Sequence, residues 1–343
     1  MVSQLVSLAF VIAAVLLGAA QPATSALRIV ATTPDVADMA RQIGGDRIEV
    51  VSIAEGTQDP HKVPVKPSFV TKLNRADALI VNGLGLEHAF LPALLEVASN
   101  PKIQPNGPAY IDASLYIEPL EVPSSQNRAQ GELHPLGNPH FSLDPVRARS
   151  MTKALAEGLA RVDPAGAATY QAGRERFDAA LDAKIAEWEQ LAAPLRGVKA
   201  VSYHRDLVYL ADRFGLVLVD TIETRPGVPA TPSHLAELVD TMKREQVKRV
   251  IREVAYEMPL AQMVAERTGA RVATISVMSG GLPGTSGYLD STEANLKALV
   301  EAVRAAVPGI VIEILVPDFN AKDDAIEVVM RSRPHIFNHN LET

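Results

Sequence analysis

The sequence predicts an α/β protein of two lobes, each a mainly parallel sheet flanked by helices, joined by one long rigid helix. Three observations predict it. Strand-like and helix-like stretches alternate over residues 27–145 and again over 197–307, the order that builds parallel sheets covered by helices. Between them, over about residues 165–195, Tyr170, Phe177, Leu181, Ile185 and Trp188 recur at three- and four-residue spacing. The chain has 343 residues, 47% of them apolar, enough for two domains with sizeable cores.

Residues 1–26 read as a secretory signal peptide. Leu5 to Ala20 is almost wholly apolar but short of the roughly 20 residues of a membrane span, and Thr24-Ser25-Ala26 fits a small-x-small cleavage site. Met1-Val2-Ser3-Gln4 carries no Lys or Arg, which keeps a buried N-terminal helix as the alternative. No cysteine follows the apolar run, so no lipid anchor on Cys can form. The expectation is a soluble, exported, periplasmic protein beginning near Leu27.

In the first lobe, residues 27–145, Leu27 to Thr32 alternates as a strand, and Thr33-Pro34-Asp35 opens a helix ended by Gly44-Gly45. Ile48 to Ile53 is a second strand, and the loop Ala54 to His61 leaves its C-terminal end, the edge where ligands bind in open α/β sheets. Ser68 is placed to cap a helix over Phe69 to Asn74. Ala78 to Asn82 is a strand, Glu87 to Ala98 a helix, and Tyr110-Ile111-Asp112 a short strand. Residues 119–139 form a loop rich in Pro, Ser, Asn, Gln and Gly, in which His134 reads as a solvated residue.

The connector, residues 146–196, holds a helix from Pro145 to Val162 and, after Asp163-Pro164, one amphipathic helix of roughly 27 residues. At 1.5 Å per residue it spans about 40 Å, enough to bridge both lobes. In the second lobe, residues 197–307, Lys199 to Tyr203 is a strand with His204 just past it, and Arg205 to Phe214 a helix closed by Gly215. Strands follow at Leu216 to Asp220, Val247 to Arg252 and Arg271 to Ile275, with helices at His234 to Glu245 (capped by Ser233), Leu260 to Thr268, and Thr292 to Ala306 (capped by Ser291). Two such lobes make the cleft between them a natural ligand site.

A net charge of −7 disfavours a nucleic-acid partner. With no cysteine, disulfides, thiolate metal sites, iron–sulfur clusters and cysteine nucleophiles are excluded, so any metal is held by nitrogen and oxygen. His61 lies in Gln58-Asp59-Pro60-His61, His140 between prolines in Gly137-Asn138-Pro139-His140-Phe141-Ser142-Leu143-Asp144-Pro145, and His204 after a strand. One such histidine is ordinarily a capping or core residue. Three in equivalent settings bring convergence on one metal ion in the interlobe cleft level with the capping or core reading, since imidazole suits divalent transition metals and three with one oxygen suit zinc. His88, on a helix, and His234, at a helix start, read as surface residues.

The three motifs in order resemble the metal-receptor family of ABC importers, the helical-backbone solute-binding proteins for zinc and manganese. Asp59-Pro60-His61 with Val65-Lys66-Pro67-Ser68 is similar to the family's first ligand motif, the stretch around His140 to its second (with Ser142 where an aromatic is common), and Tyr203-His204 with Tyr209 to Leu216 to its third. The similarity covers roughly residues 27–307. It implies two α/β lobes on a rigid helix, a monomeric receptor without catalytic activity, and His61, His140 and His204 as ligands of a Zn²⁺ ion handed to an ABC permease in the inner membrane. Histidine at the third position tends towards zinc, and glutamate towards manganese, so a manganese receptor is the near alternative. Many members supply a fourth, carboxylate ligand from a loop that corresponds to Met278-Ser279-Gly280-Gly281, which has none; Glu253 or a water molecule would substitute. The long His/Asp-rich loop of zinc members is missing. A zinc hydrolase or hydratase is the further alternative, because three histidines and a water also form a catalytic arrangement, but no HExxH motif supplies a base.

Residues 308–343 resemble instead an internal piece of lipoyl synthase, read as a strand–helix–strand fragment. Without cysteine that enzyme's cluster chemistry is impossible, and the fragment explains His335 and His339 without a metal.

Overall fold

The computed structural model describes residues 26–123, 134–225, 227–306, 313–316 and 336–339. The N-terminal apolar run, residues 124–133 of the 119–139 loop and much of the tail lie outside them.

Two four-stranded parallel sheets share one topology. In the first, β1 (Leu27–Ala31), β2 (Ile48–Ser52), β3 (Ala78–Val81) and β4 (Tyr110–Asp112) are ordered β2-β1-β3-β4. In the second, β5 (Lys199–Ser202), β6 (Val217–Thr221), β7 (Arg249–Glu253) and β8 (Arg271–Ile275) are ordered β6-β5-β7-β8. Every pairing is parallel. Strand order reverses beside β1 and beside β5, and the loops that leave β2 and β5 at the carboxyl edge carry His61 and His204.

The helices are α1 (Pro34–Gly44), α2 (Pro67–Arg75), α3 (Leu91–Val97), α4 (Pro145–Val162), α5 (Ala167–Leu191), α6 (Val208–Phe214), α7 (Pro232–Arg244), α8 (Met258–Thr268) and α9 (Tyr288–Ala306). The 25-residue α5 buries the stripe read from the sequence: Tyr170, Phe177, Leu181, Ile185 and Trp188, with Gly173. Gly173 is required where α5 crosses α1, because a Cβ there would lie 2.0 Å from the Ile43 carbonyl oxygen. The same helix packs on α4 and on α9 of the second lobe, to which Lys184 adds a 2.9 Å ion pair with Glu293. One apolar cluster runs from Ile29 in β1 through α5 to Val303 in α9, so the helix is part of both cores. A smaller cluster in the second lobe gathers Val201, Leu238, Met242, Val250 and Val264.

Several element starts differ from expectation, each for a local reason. The third helix begins at Leu91 rather than Glu87, because Glu87 turns inward and its carboxylate accepts the Thr32 hydroxyl (2.6 Å) and the Asn82 amide (2.7 Å). The helix after His204 begins at Val208 rather than Arg205. Prolines at the first helical turn displace two expected caps: α2 starts at Pro67, and α7 starts at Pro232 with Thr231 accepting the His234 amide. Ser291 lies inside α9, and its hydroxyl donates to the Thr285 carbonyl. Beyond α9, β9 (Glu313–Val316) and β10 (Ile336–His339) pair in parallel, apart from either main sheet. Among the described residues no helix is long and apolar enough to cross a membrane.

Candidate metal centre

His61 is positioned by its own turn. Asp59 Oδ1 accepts the His61 amide at 2.9 Å, a local side-chain turn that Pro60 stiffens. His140 is set in the same way, with Asn138 Oδ1 accepting its amide at 3.1 Å. Both flanks of His140 are tied down. Asn138 Nδ2 donates to the Arg205 carbonyl (2.8 Å), Tyr209 Oη donates to the Asn138 carbonyl (2.7 Å), and Asn82 Nδ2 donates to the Pro139 carbonyl (3.0 Å). Downstream, Asp144 caps α4 through the Val146 amide and is gripped by Arg147 and by Arg213 of the second lobe. His204 leaves β5 in a turn where the Ser202 hydroxyl donates to the His204 carbonyl (2.6 Å). Its Nδ1 lies 2.6 Å from Glu223 Oε2, and Tyr256 stacks on its ring at 5.7 Å, with Tyr203 stacked on Tyr256 in turn.

These three imidazoles, all buried, converge: among the described residues they form one set of potential ligands whose donor atoms all lie within 4.8 Å of one another. His61 Nε2 and His140 Nε2 are 3.0 Å apart, and the ring centroids are spaced 5.0, 5.4 and 6.0 Å. A zinc ion about 2.0–2.1 Å from each nitrogen would hold tetrahedral partners roughly 3.3 Å apart, so the cluster is near coordination distance. Burial, reinforced by the neighbouring imidazoles, holds His61 and His140 well below the ordinary pKa of 6.5, in the neutral form that ligates. His204 goes the other way. Burial opposes its charge, but Glu223 and Asp206 outweigh it and raise the pKa. Glu223 also holds Nδ1 as the protonated nitrogen, leaving Nε2 for a metal, an arrangement common behind metal-bound histidines.

The structure does not bring Glu253 into this set. Its carboxyl, at the end of β7, is wholly buried beside Asp206, and burial followed by the field of Asp206 raises its pKa well above the ordinary carboxylate range. Neither of its oxygens has a hydrogen-bond partner among the described residues. The loop Met278-Ser279-Gly280-Gly281 supplies no carboxylate, but receives one: Asp35 Oδ1 of α1 accepts both the Ser279 hydroxyl (2.6 Å) and its amide (3.1 Å).

Two histidines are nearer than expected. His134 is half-buried, with its ring 4.9 Å from that of His61. His88 is exposed, but its ring lies 6.1 Å from His61 and 5.7 Å from His134. His234 has no part in the cluster; its Nε2 lies 2.9 Å from the Thr221 carbonyl oxygen. Sequence reasoning also missed Glu223, Tyr256 and Asp35. The signal for His134 was its place six residues before His140, on a turn that folds back through Gly137 (φ 103°) and its amide bond to the His134 carbonyl. Glu223, Tyr256 and Asp35 carried no local signal.

Comparison with known proteins identifies the family. Residues 29–302 match the family described as zinc-uptake complex component A, periplasmic. The metal ABC transporter substrate-binding lipoprotein ScbA of Streptococcus cristatus is 25% identical over 82% of this chain and 90% of its own length. The iron ABC transporter substrate-binding lipoprotein MtsA of Streptococcus pyogenes is 24% identical over 76% and 84%. A crystal structure of zinc-bound ZnuA lacking residues 138–173 superposes with a TM-score of 0.68 at 26% identity, over 81% of this chain and 98% of that one. The match ends before β9, so the paired strands of the tail stand outside it. The chain belongs to the zinc-uptake component A family, the metal-binding receptors of ABC importers, and is a binding protein rather than an enzyme.

Proposed function

We propose that this protein is a periplasmic zinc receptor: it takes one Zn²⁺ onto His61, His140 and His204 and delivers it to an ABC permease. The observation that carries the reading is the donor set. Three imidazoles gather within 4.8 Å, and among the described residues no carboxylate joins them. Two of the three are held neutral, so little proton release opposes binding at those positions. Nitrogen donors suit zinc, whereas manganese favours carboxylate and water oxygen. A water molecule completes the tetrahedron, and Glu253 stays outside the coordination set. Export of the receptor rests on the apolar run Leu5 to Ala20.

The test is a competitive titration of the full chain with zinc and manganese, with elemental analysis of the bound ion. One tightly held zinc is expected, and Glu253→Gln should keep its affinity within about threefold. Preference for manganese would overturn the metal assignment, and no stoichiometric metal would sink the receptor site.

A further inference from the structure

Glu87 ties both ligand-bearing loops of the first lobe to one point. Its side chain is buried and draws three donors. Oε1 accepts the Thr32 hydroxyl (2.6 Å) and the Asn82 amide (2.7 Å), and Oε2 accepts the Gly83 amide (3.4 Å). Burying a carboxyl is costly unless such donors meet it, and here burial raises its pKa while these hydrogen bonds oppose the shift. From Glu87 one path runs to each loop. Asn82 Nδ2 donates to the Pro139 carbonyl (3.0 Å), in the peptide that joins Pro139 to His140. Thr32, whose hydroxyl also accepts the Asn82 amide (3.0 Å), takes the Ala54 amide on its own carbonyl (3.0 Å), where the loop to His61 leaves β2.

The turn that brings Glu87 to this place is strained. Gly83, Leu84 and Gly85 have φ of 97°, 51° and 79°, three left-handed residues in a row, and Leu84 lacks the freedom of its glycine neighbours. The turn is also closely packed, since a Cβ on Gly83 would lie 2.2 Å from Asp112 Oδ1 of β4. Strain of this kind persists only where the surroundings over-determine it, and it gathers at functional sites. Here it swings the carboxyl back over the ends of β1 and β3, between the two loops.

We propose that Glu87 is the positioning residue of the metal centre: through Asn82 it holds the His140 loop, through Thr32 it holds the His61 loop, and so it sets the separation of those two donors. The spacing it guards is the 3.0 Å between His61 Nε2 and His140 Nε2. Groups behind a ligand govern affinity by fixing its orientation, and one group behind two ligands fixes their distance as well. The proposal rests on the reading of the three histidines as a zinc site.

The experiment follows zinc release from the full chain into excess chelator. Glu87→Gln keeps the volume but offers one acceptor oxygen in place of two, and should speed release about tenfold. Asn82→Ala and Thr32→Val cut one path each and should speed it about threefold, with Thr32→Ser restoring the native rate. In the Glu87→Gln background, Asn82→Ala should add less than about twofold; a full, additive loss overturns the path through Asn82. Val264→Ala, in the apolar cluster of the second lobe, lowers the melting temperature away from both loops and should leave release unchanged. A rise there equal to that of Glu87→Gln would make the effect one of stability alone and overturn the proposal. Co²⁺ in place of zinc reads the geometry by visible absorption, and the band should shift in Glu87→Gln. A band identical to the native one overturns the positioning role, because displaced donors change the field at the ion. A native chain without stoichiometric zinc sinks the receptor reading and this proposal together, whereas native binding with native-like release in Glu87→Gln sinks this proposal alone.

Discussion

The two lobes meet at two places of opposite character. At the imidazole trio, buried nitrogens face one another: His61 Nε2 is 3.0 Å from His140 Nε2, and His61 Nδ1 has no partner. At the seam formed by α1, the loop after β2 and the loop after β8, hydrogen bonds cross between the lobes in full. Asp35 accepts from Ser279, Asp38 accepts the Tyr288 amide (2.9 Å), Tyr288 donates to the Ser142 carbonyl (2.6 Å), and Ser276 donates to the Gly56 carbonyl (3.2 Å). Gly56 and Gly281 have no Cβ because none would fit. On Gly56 it would lie 2.2 Å from the Ser279 carbonyl oxygen, and on Gly281 2.4 Å from the Gly56 carbonyl oxygen. The hydrogen-bonded seam sets the spacing of the lobes, and the trio uses that spacing. Gly56 and His61 share one loop, so the two places are mechanically linked.

The largest effect expected from breaking this pairing is at the trio. His61→Ala, His140→Ala and His204→Ala should each weaken zinc binding at least about a hundredfold, or about 2.7 kcal/mol, in chelator-competition titrations. Ser279→Ala, at the seam, should instead lower stability by about 1–3 kcal/mol in chemical denaturation by leaving Asp35 short of a donor. Equal zinc loss at both places would collapse the distinction.

Behind the trio, Glu223→Gln should cost about ten- to a hundredfold in zinc affinity, because the amide neither holds the His204 N–H as strongly nor raises the basicity of the ligating nitrogen. Normal affinity in that variant would reduce Glu223 to a packing residue. Gly56→Ala tests the mechanical link directly. The added methyl must push two backbones apart, at about 1–3 kcal/mol, and zinc affinity should fall with the melting temperature although no ligand is touched. A melting-temperature loss with unaltered affinity would uncouple seam from site.

The smallest effect is a pH dependence. Burial raises Asp35 from its ordinary 3.8 to about 6, with hydrogen bonds from Ser279 opposing the shift. The folded state therefore holds this proton more tightly than the unfolded state. That stabilisation is complete below about pH 4 and is lost as pH rises through about 6. Asp35→Asn, whose amide oxygen still accepts from Ser279, should flatten the fall in stability between pH 4 and 7 relative to the native chain. Parallel stability curves would remove Asp35 as its source.

Much of this molecule was legible from residues that act locally. The stripe from Tyr170 to Trp188 specified α5, because a 3.6-residue period has one buried face. Asp59-Pro60 and Asn138-Pro139 specified the turns that aim His61 and His140, since a short acceptor side chain and a fixed φ act within two residues of the histidine. Where the sequence misled, a distant partner had won. Glu87 left the expected helix for Thr32, and His134 left solvent for the flank of His61.

Chain order and side-chain period thus decided the two α/β lobes and the long helix, since each depends on neighbours a few residues away. Only the folded chain decided that Glu223 backs His204, that Glu253 stands apart from the donors, and that Asp35 meets Ser279 across 244 residues. Those contacts arise where two separately folded sheets present their carboxyl edges to each other. No local pattern encodes which side chains will face across such a junction, because the facing groups, such as Asp35 and Ser279, lie far apart in the chain.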